Sequence, residues 1–466
     1  MMVEAGTHLP PIEAELLERL SRPGPRYTSY PTAPEWTPAV GPAELRRHLG
    51  LADAEGAESP LSLYFHIPFC RHMCSYCGCN VVVSRRQDRA DRYLDHVGRE
   101  LELVAAELPN RRGVTQLHLG GGTPTFLDLA QLQRLWDEIG RRFRILPGAE
   151  VALEIDPVVT TRAQLELLRR LGFNRVSMGV QDFTPEVQEV VGRVQPVELT
   201  REIYLCAREL GFRGINFDLI YGLPKQRPET FRRTLETVLE MAPDRVAVFS
   251  YAHVPWMRPN QRRFDEKLLP APAEKFALFA LAHRLFLEGG YVQIGMDHFA
   301  RPEDELAQAR LERRLKRNFQ GYTVNPASDL LGFGVTGISD LQGCYAQNLK
   351  TLSRYYRSVE QGELPVERGI ILTDDDRLRR RVITELMCNF YVDLGAVCEP
   401  LGLDPRHTFA AELGRLQEPE ELGLLRRQDL VLELTPLGRV LPRNVAMIFD
   451  PYLLRRSATT TFSRTI

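Results

Sequence analysis

An apolar run leads directly into four closely spaced cysteines in the stretch Leu61-Ser-Leu-Tyr-Phe-His-Ile-Pro-Phe-Cys70-Arg-His-Met-Cys74-Ser-Tyr-Cys77-Gly-Cys79-Asn80. The run over residues 61–67 predicts a buried β-strand, because short continuous apolar segments are typical of strands covered on both faces. The cysteines then lie on the loop after the carboxyl end of that strand, where α/β enzymes place their functional groups. The stretch therefore predicts an α/β fold whose chemistry begins at its first strand-to-loop junction.

Three of these cysteines, Cys70, Cys74 and Cys77, have the spacing Cys-x3-Cys-x2-Cys. Three thiolates can bind three irons of a [4Fe-4S] cluster and leave the fourth iron open, whereas a cluster that only carries electrons normally takes four cysteines. A structural zinc site and a thioredoxin-like redox pair are the alternatives. Zinc sites usually combine two Cys-x2-Cys pairs, and the sequence has no second pair. The spacing favours a cluster with one open iron.

Five further strand-like segments alternate with helical patterns. The strands are predicted at residues 114–119, 150–155, 175–180, 215–220 and 245–250, and the helices at residues 89–107, 129–143, 162–171, 197–210 and 228–241. Right-handed βα repetition gathers the loops after the strands at one edge of a parallel sheet, so distant motifs can face one cavity. Six such units predict either a curved, incomplete barrel or an open doubly wound sheet.

The composition is that of a large globular enzyme without an excess of either charge. The 466 residues are 44% hydrophobic, and 59 Lys and Arg stand against 61 Asp and Glu, a formal net charge of −2. No overall positive field therefore favours a nucleic acid or an anionic membrane as a partner. The sequence shows no basic segment followed by an apolar stretch at its start and no apolar run of bilayer length, so we expect a cytoplasmic protein.

The eight cysteines are too few for a disulfide-dense scaffold in a chain of this length. Four of them lie outside the motif, and we expect them to be small buried hydrophobes: Cys206, Cys344, Cys388 and Cys398.

The pattern divides the chain into three predicted domains. Residues 1–60 form an N-terminal extension with a Pro-rich segment over residues 22–34, which cannot be a regular helix or central strand and has the pattern of a linker. Residues 61–370 form the catalytic barrel. Residues 371–466 form a mostly helical domain, with a helix over residues 374–389 and a wing-like hairpin near residues 430–439. Such a module could bind DNA, but the charge balance and the family resemblance described below both favour a lid over the barrel mouth.

A glycine-rich turn, Gly120-Gly-Gly-Thr-Pro124, directly follows the second predicted strand. Glycines let a backbone pass close to a ligand in conformations that other residues adopt only with strain. The Lys-Ser/Thr ending of a phosphate-binding P-loop is absent. The turn predicts either a ligand contact or a purely structural turn.

The cysteine spacing, with Tyr76 and the ending Gly78-Cys-Asn80, resembles the radical S-adenosylmethionine (SAM) superfamily and, within it, the family of oxygen-independent coproporphyrinogen III oxidases. The similarity runs from about residue 24 to the C-terminus. Further blocks carry it: Gly24-Pro-Arg-Tyr-Thr-Ser-Tyr-Pro-Thr32, Asp218-Leu-Ile-Tyr-Gly-Leu-Pro-Lys-Gln226, Gly295-Met-Asp-His-Phe-Ala-Arg-Pro302 and Asn318-Phe-Gln-Gly-Tyr-Thr323.

The resemblance implies a partial (βα)6 TIM-type barrel, one [4Fe-4S] cluster bound by the three motif cysteines, and SAM on the open iron. It places the methionine part of SAM against Gly121 and Gly122. It assigns the SAM ribose to Glu154 rather than to the nearby Asp156, and it adds Tyr64 to the same site. It also implies a second SAM molecule with these contacts: Tyr76, Gly122, Thr123, Gln181, Arg193, Asp218, Ala252 and Ile338.

The family pattern differs around Arg193 and does not give the role of Cys79. Gly192 and Val194 depart from the residues expected on either side of Arg193, which weakens that assignment. Cys79 matters in the family without being a cluster ligand, and our hypothesis is that it assists on the substrate side or on the electron-exit side.

The activity implied by the resemblance is the oxidative decarboxylation of two propionates of coproporphyrinogen III to vinyl groups, started by a 5′-deoxyadenosyl radical. We expect a low-potential electron donor such as flavodoxin or ferredoxin, and a monomeric enzyme. Carboxylates need cationic or hydrogen-bonding partners, and the candidates in the N-terminal segment are Arg22, Arg26, Tyr27 and Tyr30.

Two rival functions remain open at this stage. One is another radical SAM activity on a comparable barrel, such as a tetrapyrrole-modifying or methyl-transferring one. The other is that of the related haem-carrying chaperone, which resembles this chain in the barrel but lacks the Gly-Cys-Asn ending and the full N-terminal block. Both features are present here.

Overall fold

Six parallel strands form the centre of a twelve-stranded sheet in the computed structural model, which describes residues 14–324, 327, 329–455, 462, 464 and 465. We call them barrel strands 1 to 6: Leu61–Ile67, Gly113–Gly121, Arg144–Ile155, Arg175–Gln181, Ile215–Tyr221 and Arg245–Ser250. Each is hydrogen-bonded in parallel to the next. All six predicted strands are confirmed.

The helices between these strands are confirmed within three residues of the predicted ends. They span Asp88–Ala106, Leu129–Gly140, Arg162–Arg170, Val197–Glu209 and Pro228–Met241, with a short additional helix at Pro185–Val191. The order of the six barrel strands in the sheet equals their order in the chain, without the reversal that marks a doubly wound sheet. The fold is therefore the incomplete barrel.

Shorter strands extend the barrel at both edges. Beyond barrel strand 6 lie the antiparallel strands His298–Ala300 and Val292–Ile294, and beyond barrel strand 1 lie Asp329–Phe333, Ile338–Leu341, Cys344–Asn348 and Val366–Ile371. Two short strand pairs stand apart, Phe69–Cys70 with Val82–Val83 and Lys316–Asn318 with Gly321–Thr323. The connecting helices are Pro272–Glu288, Glu305–Leu311 and Leu352–Glu360, with 3-10 turns at Pro124–Phe126, Pro259–Arg263 and Glu266–Leu268.

The N-terminal segment is packed against the rest of the molecule rather than being a linker, which corrects the expectation from its composition. Helices Ala14–Leu20 and Pro42–Asp53 flank it, and a 3-10 turn lies at Ala33–Glu35. Tyr27 and Tyr30 are buried, and the Tyr27 hydroxyl donates a hydrogen bond to Asp450 over 3.0 Å. Aromatic burial fixes a segment that has little regular structure.

The C-terminal part begins with the predicted helix Asp374–Asn389, whose first turn is capped by the Thr373 side chain. The hairpin Leu425–Gln428 and Val431–Leu434 is also present, joined by Tyr391–Asp393 in a three-stranded sheet. Short helical segments complete it: Leu394–Cys398, Glu399–Leu401, Pro405–Thr408, Ala410–Arg415, Gln417–Glu421, Pro436–Val440, Pro442–Ala446, Met447–Phe449 and Tyr452–Arg455. Among the described helices, none is long and apolar enough to cross a bilayer.

The four cysteines outside the motif are buried, as predicted: Cys206, Cys344, Cys388 and Cys398.

Candidate active site

A cavity of about 570 Å³ opens where the carboxyl ends of the barrel strands meet the loop that carries the cysteines. Residues from all parts of the predicted site line it: Arg26, Cys70, Cys74, Tyr76, Cys77, Cys79, Gly121, Gly122, Thr123, Glu154, Gln181, Arg193, Asp218 and Ala252. Residues that are up to 226 positions apart in the sequence thus reach one cavity, as expected for loops gathered at one edge of a parallel sheet.

The three motif cysteines are free thiols on the wall of this cavity. Burial raises the pKa of Cys70 to about 11 and raises the pKa of Cys74 above its ordinary value. The pKa of Cys77 is lowered, first of all because the Cys79 side chain donates a hydrogen bond to it, and the Cys79 amide lies 3.4 Å from its sulfur. Two buried thiols that resist ionisation need a positive partner to become thiolates.

This donor set fits an iron–sulfur cluster better than a single metal ion. Within the described residues no group of three or more His, Cys, Asp or Glu side chains is close enough to hold one ion. In a four-iron cluster each cysteine binds a different iron, so the ligands stand farther apart than around one zinc. The three motif cysteines are free thiols on one cavity wall and match that arrangement, and Cys79 is a fourth free thiol beside them.

The glycine turn packs tightly against the cysteine loop. A Cβ on Gly122 would lie 2.8 Å from the carbonyl oxygen of Phe69, and Gly121 adopts a φ of +114°. The Gly122 amide donates to the carbonyl of Ile67 over 2.8 Å, and the Thr123 amide donates to that of Phe69 over 2.9 Å. The turn therefore has a structural role, which is to hold the first residues of the cysteine loop, and it also lines the cavity.

Glu154 and Asp156 both line the cavity but have different partners. Glu154 accepts a hydrogen bond from the Gly121 amide over 3.0 Å, and His118 lies 3.4 Å from its other oxygen. Burial raises the pKa of Glu154, but the interactions with His118 and Gly121 lower it by more than burial raises it. The pKa of Glu154 is therefore below its ordinary value. Asp156 instead pairs with Arg193 over 3.1 Å. Glu154 is therefore an ionised acceptor, and among the described residues no Arg or Lys is paired with it.

Asp218 forms a hydrogen-bonded group with its neighbours across two barrel strands. Ser177 donates to one carboxylate oxygen over 2.7 Å and Asn216 donates to the other over 2.8 Å. Burial raises the pKa of Asp218 to about 6, against the lowering effect of the Ser177 bond. The carboxylate is held rigidly at the cavity wall.

Arg193 lies at the centre of another buried group. It donates to the carbonyl of Gly179 over 2.9 Å in addition to its pair with Asp156. Gly192, which departs from the family pattern, ends the helix Pro185–Val191 in the left-handed conformation at φ +68°. Gln181 has a positive φ of 66° at the end of barrel strand 4, which turns its side chain into the cavity wall.

Several predicted residues do not line the cavity. The ring of Tyr64 stacks on His118 behind Glu154, with its centroid 6.0 Å away. Ile338 packs in a separate apolar cluster with Trp36 and Tyr345. Arg22 is exposed, within 3.9 Å of Glu418 on the C-terminal part.

The tyrosine pair of the N-terminal segment is also away from the cavity. Tyr27 is bonded to Asp450, and Tyr30 packs edge-on against Tyr452. Of the four substrate candidates, Arg26 alone lines the cavity.

The loop over residues 254–264 contributes contacts that sequence reasoning missed. The Asn260 side chain donates to the carbonyls of Cys74, Ser75 and Cys77 at 3.1, 3.3 and 3.0 Å. Gln261 donates to the carbonyls of Tyr76 and Ala252, both over 3.1 Å. These two amides brace the cysteine loop from a segment about 185 residues away. No local motif marks them.

Comparison with known proteins gives consistent results over nearly the whole chain. The radical SAM superfamily model matches residues 64–238, and the HemN C-terminal domain model matches residues 372–441. The chain is 44% identical to the oxygen-independent coproporphyrinogen III oxidase of Synechocystis over 99% of this chain and 100% of the relative. It is 45% identical to the enzyme of the same name from Escherichia coli over 97% and 98% of the two chains.

A solved structure agrees with this result. The coproporphyrinogen III oxidase (HemN) of Escherichia coli, described as a radical SAM enzyme, matches with a TM-score of 0.88 and 45% identity. The match covers 92% of this chain and 97% of the other.

Proposed function

Because the chain belongs to the family of oxygen-independent coproporphyrinogen III oxidases, we propose that it converts coproporphyrinogen III to protoporphyrinogen IX. Two propionate side chains each lose a β-hydrogen, carbon dioxide and one electron, and a vinyl group remains. The observation that carries the proposal is the single cavity that joins three free cysteines, the glycine turn and Glu154.

The residues on the cavity wall have separate tasks. Cys70, Cys74 and Cys77 bind the [4Fe-4S] cluster, and Gly121 and Glu154 bind SAM through its methionine and ribose parts. When bound, the cluster and SAM together supply a hydrogen-abstracting 5′-deoxyadenosyl radical. Because such a radical attacks most C–H bonds, the cavity walls must exclude water and position the propionate.

A second SAM molecule is part of the proposal. Its contacts would be Tyr76, Gly122, Thr123, Gln181, Arg193, Asp218 and Ala252, with Ile338 as a more distant member, while Tyr64 belongs with Glu154 to the first SAM site. The rigid Asp218 group and the Arg193 group support it, since both present fixed hydrogen-bonding atoms to the same cavity. Cys79 lies against Cys77 and is proposed to act beside the cluster without binding it.

We further propose that the protein works in the cytoplasm as a monomer and takes single electrons from a low-potential donor such as flavodoxin or ferredoxin. A reducing compartment suits free thiols and an iron–sulfur centre.

The test is an oxygen-free assay of cluster-reconstituted protein with SAM, a low-potential reductant and coproporphyrinogen III. We expect protoporphyrinogen IX and two carbon dioxide molecules per substrate, with a three-propionate intermediate. Stoichiometric haem binding without decarboxylation would contradict the proposal and support the chaperone instead. Methyl transfer to the tetrapyrrole would support the other radical SAM alternative.

A further inference from the structure

A small recess adjoins the cavity at the carboxyl ends of barrel strands 5 and 6. Its wall includes Arg26, Tyr221, Ser250, Asp297 and Arg443. Arg26 and Ser250 also line the large cavity, so they stand on the boundary between the two. The free volume of the recess is about 20 Å³, against about 570 Å³ for the cavity. Space of that size takes one small polar group and excludes a ring.

The cations around the recess are bonded to neutral carbonyl groups. Arg26 donates to the carbonyl of Ser250 over 2.6 Å. Arg443 is 4% exposed and donates to the carbonyls of Gly24 and Thr465 at 3.4 and 2.6 Å.

Lys275 stands behind Tyr221, with its ammonium 5.9 Å from the centre of that ring, and donates to the carbonyl of Tyr251 over 2.9 Å. In the described part of the chain, none of the three cations has an Asp or Glu oxygen within 4 Å.

Among the described residues on the wall of the recess, Asp297 is the one with a side-chain carboxylate, and it is already engaged. One of its oxygens lies 2.8 Å from His298. Although burial raises the pKa of Asp297, His298, Arg317 and Arg26 lower it to about 2, so it is fully ionised. Among the described side chains at the recess, the positive charges of Arg26 and Arg443 therefore outnumber the negative charge of Asp297.

Burial and mutual repulsion both act on the cations at the recess. Burial, together with repulsion from Arg26, lowers the pKa of Arg443 to about 10. Burial and repulsion from Arg26 and Arg443 lower the pKa of Lys275 to about 8. Asp297 offsets only part of this positive charge, and because buried cations that are incompletely compensated are costly, an incoming anion would remove much of that cost.

Resting on the proposed function, we propose that the recess binds a carboxylate of the tetrapyrrole other than the one that reacts, through Arg26 and Arg443. Guanidinium groups bind carboxylates with two parallel hydrogen bonds, which fixes direction as well as position. The small recess takes the end of a propionate while the large cavity holds the ring. Arg26 comes from the N-terminal segment and Arg443 from the C-terminal part, so both ends of the chain would contribute to substrate orientation.

A purely structural role is the main alternative, because Arg443 also ties Gly24 to Thr465. Arg26 separates the two roles, since to the described residues its guanidinium donates one hydrogen bond, to the carbonyl of Ser250. The variants are Arg26→Met and Arg443→Gln, with Arg443→Lys as the charge-keeping form. Arg415→Gln is the matched control, because Arg415 bonds the carbonyl of Ile448 in the same C-terminal part but does not line the recess.

The experiment uses cluster-reconstituted full-length protein and two probes, coproporphyrin III and its tetra-amide, with binding followed by fluorescence. Wild-type protein and Arg415→Gln should bind the tetra-acid at least tenfold more tightly than the tetra-amide. Arg26→Met and Arg443→Gln should lose most of that preference while their affinity for the tetra-amide stays unchanged. Arg443→Lys should keep an intermediate preference.

Turnover gives the second measurement. Both charge-removing variants should raise KM for coproporphyrinogen III about tenfold, with SAM affinity unchanged. If Arg26→Met prefers the tetra-acid over the tetra-amide as strongly as wild-type protein does, the recess does not bind a carboxylate. This result would refute the proposal even if Arg443→Gln fails to fold. Absence of turnover in wild-type protein would instead refute the proposed function, and the binding ratio would still report on the recess.

Discussion

The cysteine loop after barrel strand 1 and the recess beside barrel strands 5 and 6 lie at the same edge of the sheet but are built in opposite ways. The loop concentrates its functional atoms within Cys70 to Cys79, and its chemistry is that of thiols next to an ionised Glu154. The recess assembles Arg26 and Arg443 from opposite ends of the chain, and its chemistry is cationic. The difference teaches that a set of thiol donors can be local in sequence, whereas a cationic recess can be assembled from residues far apart in it.

The largest effect should come from removing a motif cysteine. Cys74→Ser should abolish the cluster and reduce turnover at least about a thousandfold, because two thiolates cannot hold a four-iron centre. Iron content and visible absorption of oxygen-free protein measure this. Cys206→Ser, at a buried cysteine away from the cavity, is the matched control and should keep both. If Cys74→Ser keeps the cluster, Cys74 is not a required ligand, and the assignment of the cluster to the cysteine loop is wrong.

Glu154→Ala should weaken SAM binding by about ten- to a hundredfold, since charge-assisted hydrogen bonds contribute about 1.5–3 kcal/mol. Equilibrium binding of SAM to reconstituted protein measures it. Asp156→Asn sharpens the assignment, because Asp156 is paired with Arg193. If Asp156→Asn loses SAM affinity and Glu154→Ala keeps it, the two carboxylates have been assigned in the wrong order.

Lys275 should make stability depend on alkaline pH. Its pKa is lowered to about 8 in the folded protein, so between pH 8 and its unfolded value near 10.5 the unfolded chain binds more protons. The free energy of unfolding should therefore rise with pH across that window, by about 1 to 2 kcal/mol after allowance for partial solvent access. The facing charges are Arg26 and Arg443.

Denaturant unfolding at several pH values tests this, with Lys275→Met lacking the rise and Lys267→Met, at an exposed lysine, keeping it. Identical profiles for Lys275→Met and wild type would show that the recess carries no excess charge.

The smallest effect should follow Asn260→Ala. The lost bonds to three carbonyls of the cysteine loop should lower stability by about 1 kcal/mol and speed cluster loss severalfold. Absorbance decay in the presence of a chelator measures the rate. Gln133→Ala, on an exposed helical surface, is the control. Equal rates of cluster loss in Asn260→Ala and wild-type protein would mean that the cysteine loop is stable without the contacts from residues 254–264.

The fold and the cofactor half of the site were predictable because their signals are local. Strand and helix periodicity located every barrel unit, and Cys70, Cys74, Cys77 and the glycine turn are short motifs. The substrate half was not predictable in the same way. The four substrate candidates lie in one segment, and each has a side chain that can bind a carboxylate. In the folded protein, however, Arg22 and Tyr27 contact the C-terminal part, as does Tyr30, and Arg26 lines the cavity.

By itself, the sequence determined the six βα units, the thiol spacing and the family, because each depends on residues that are neighbours along the chain. Only the tertiary structure decided that Asn260 braces the cysteine loop and that Arg26 and Arg443 line one recess with Lys275 close behind it. The physical reason is that burial and charge repulsion act over distance in space. The curved sheet brings together side chains that are far apart in the sequence, and no local sequence pattern indicates that they will be neighbours.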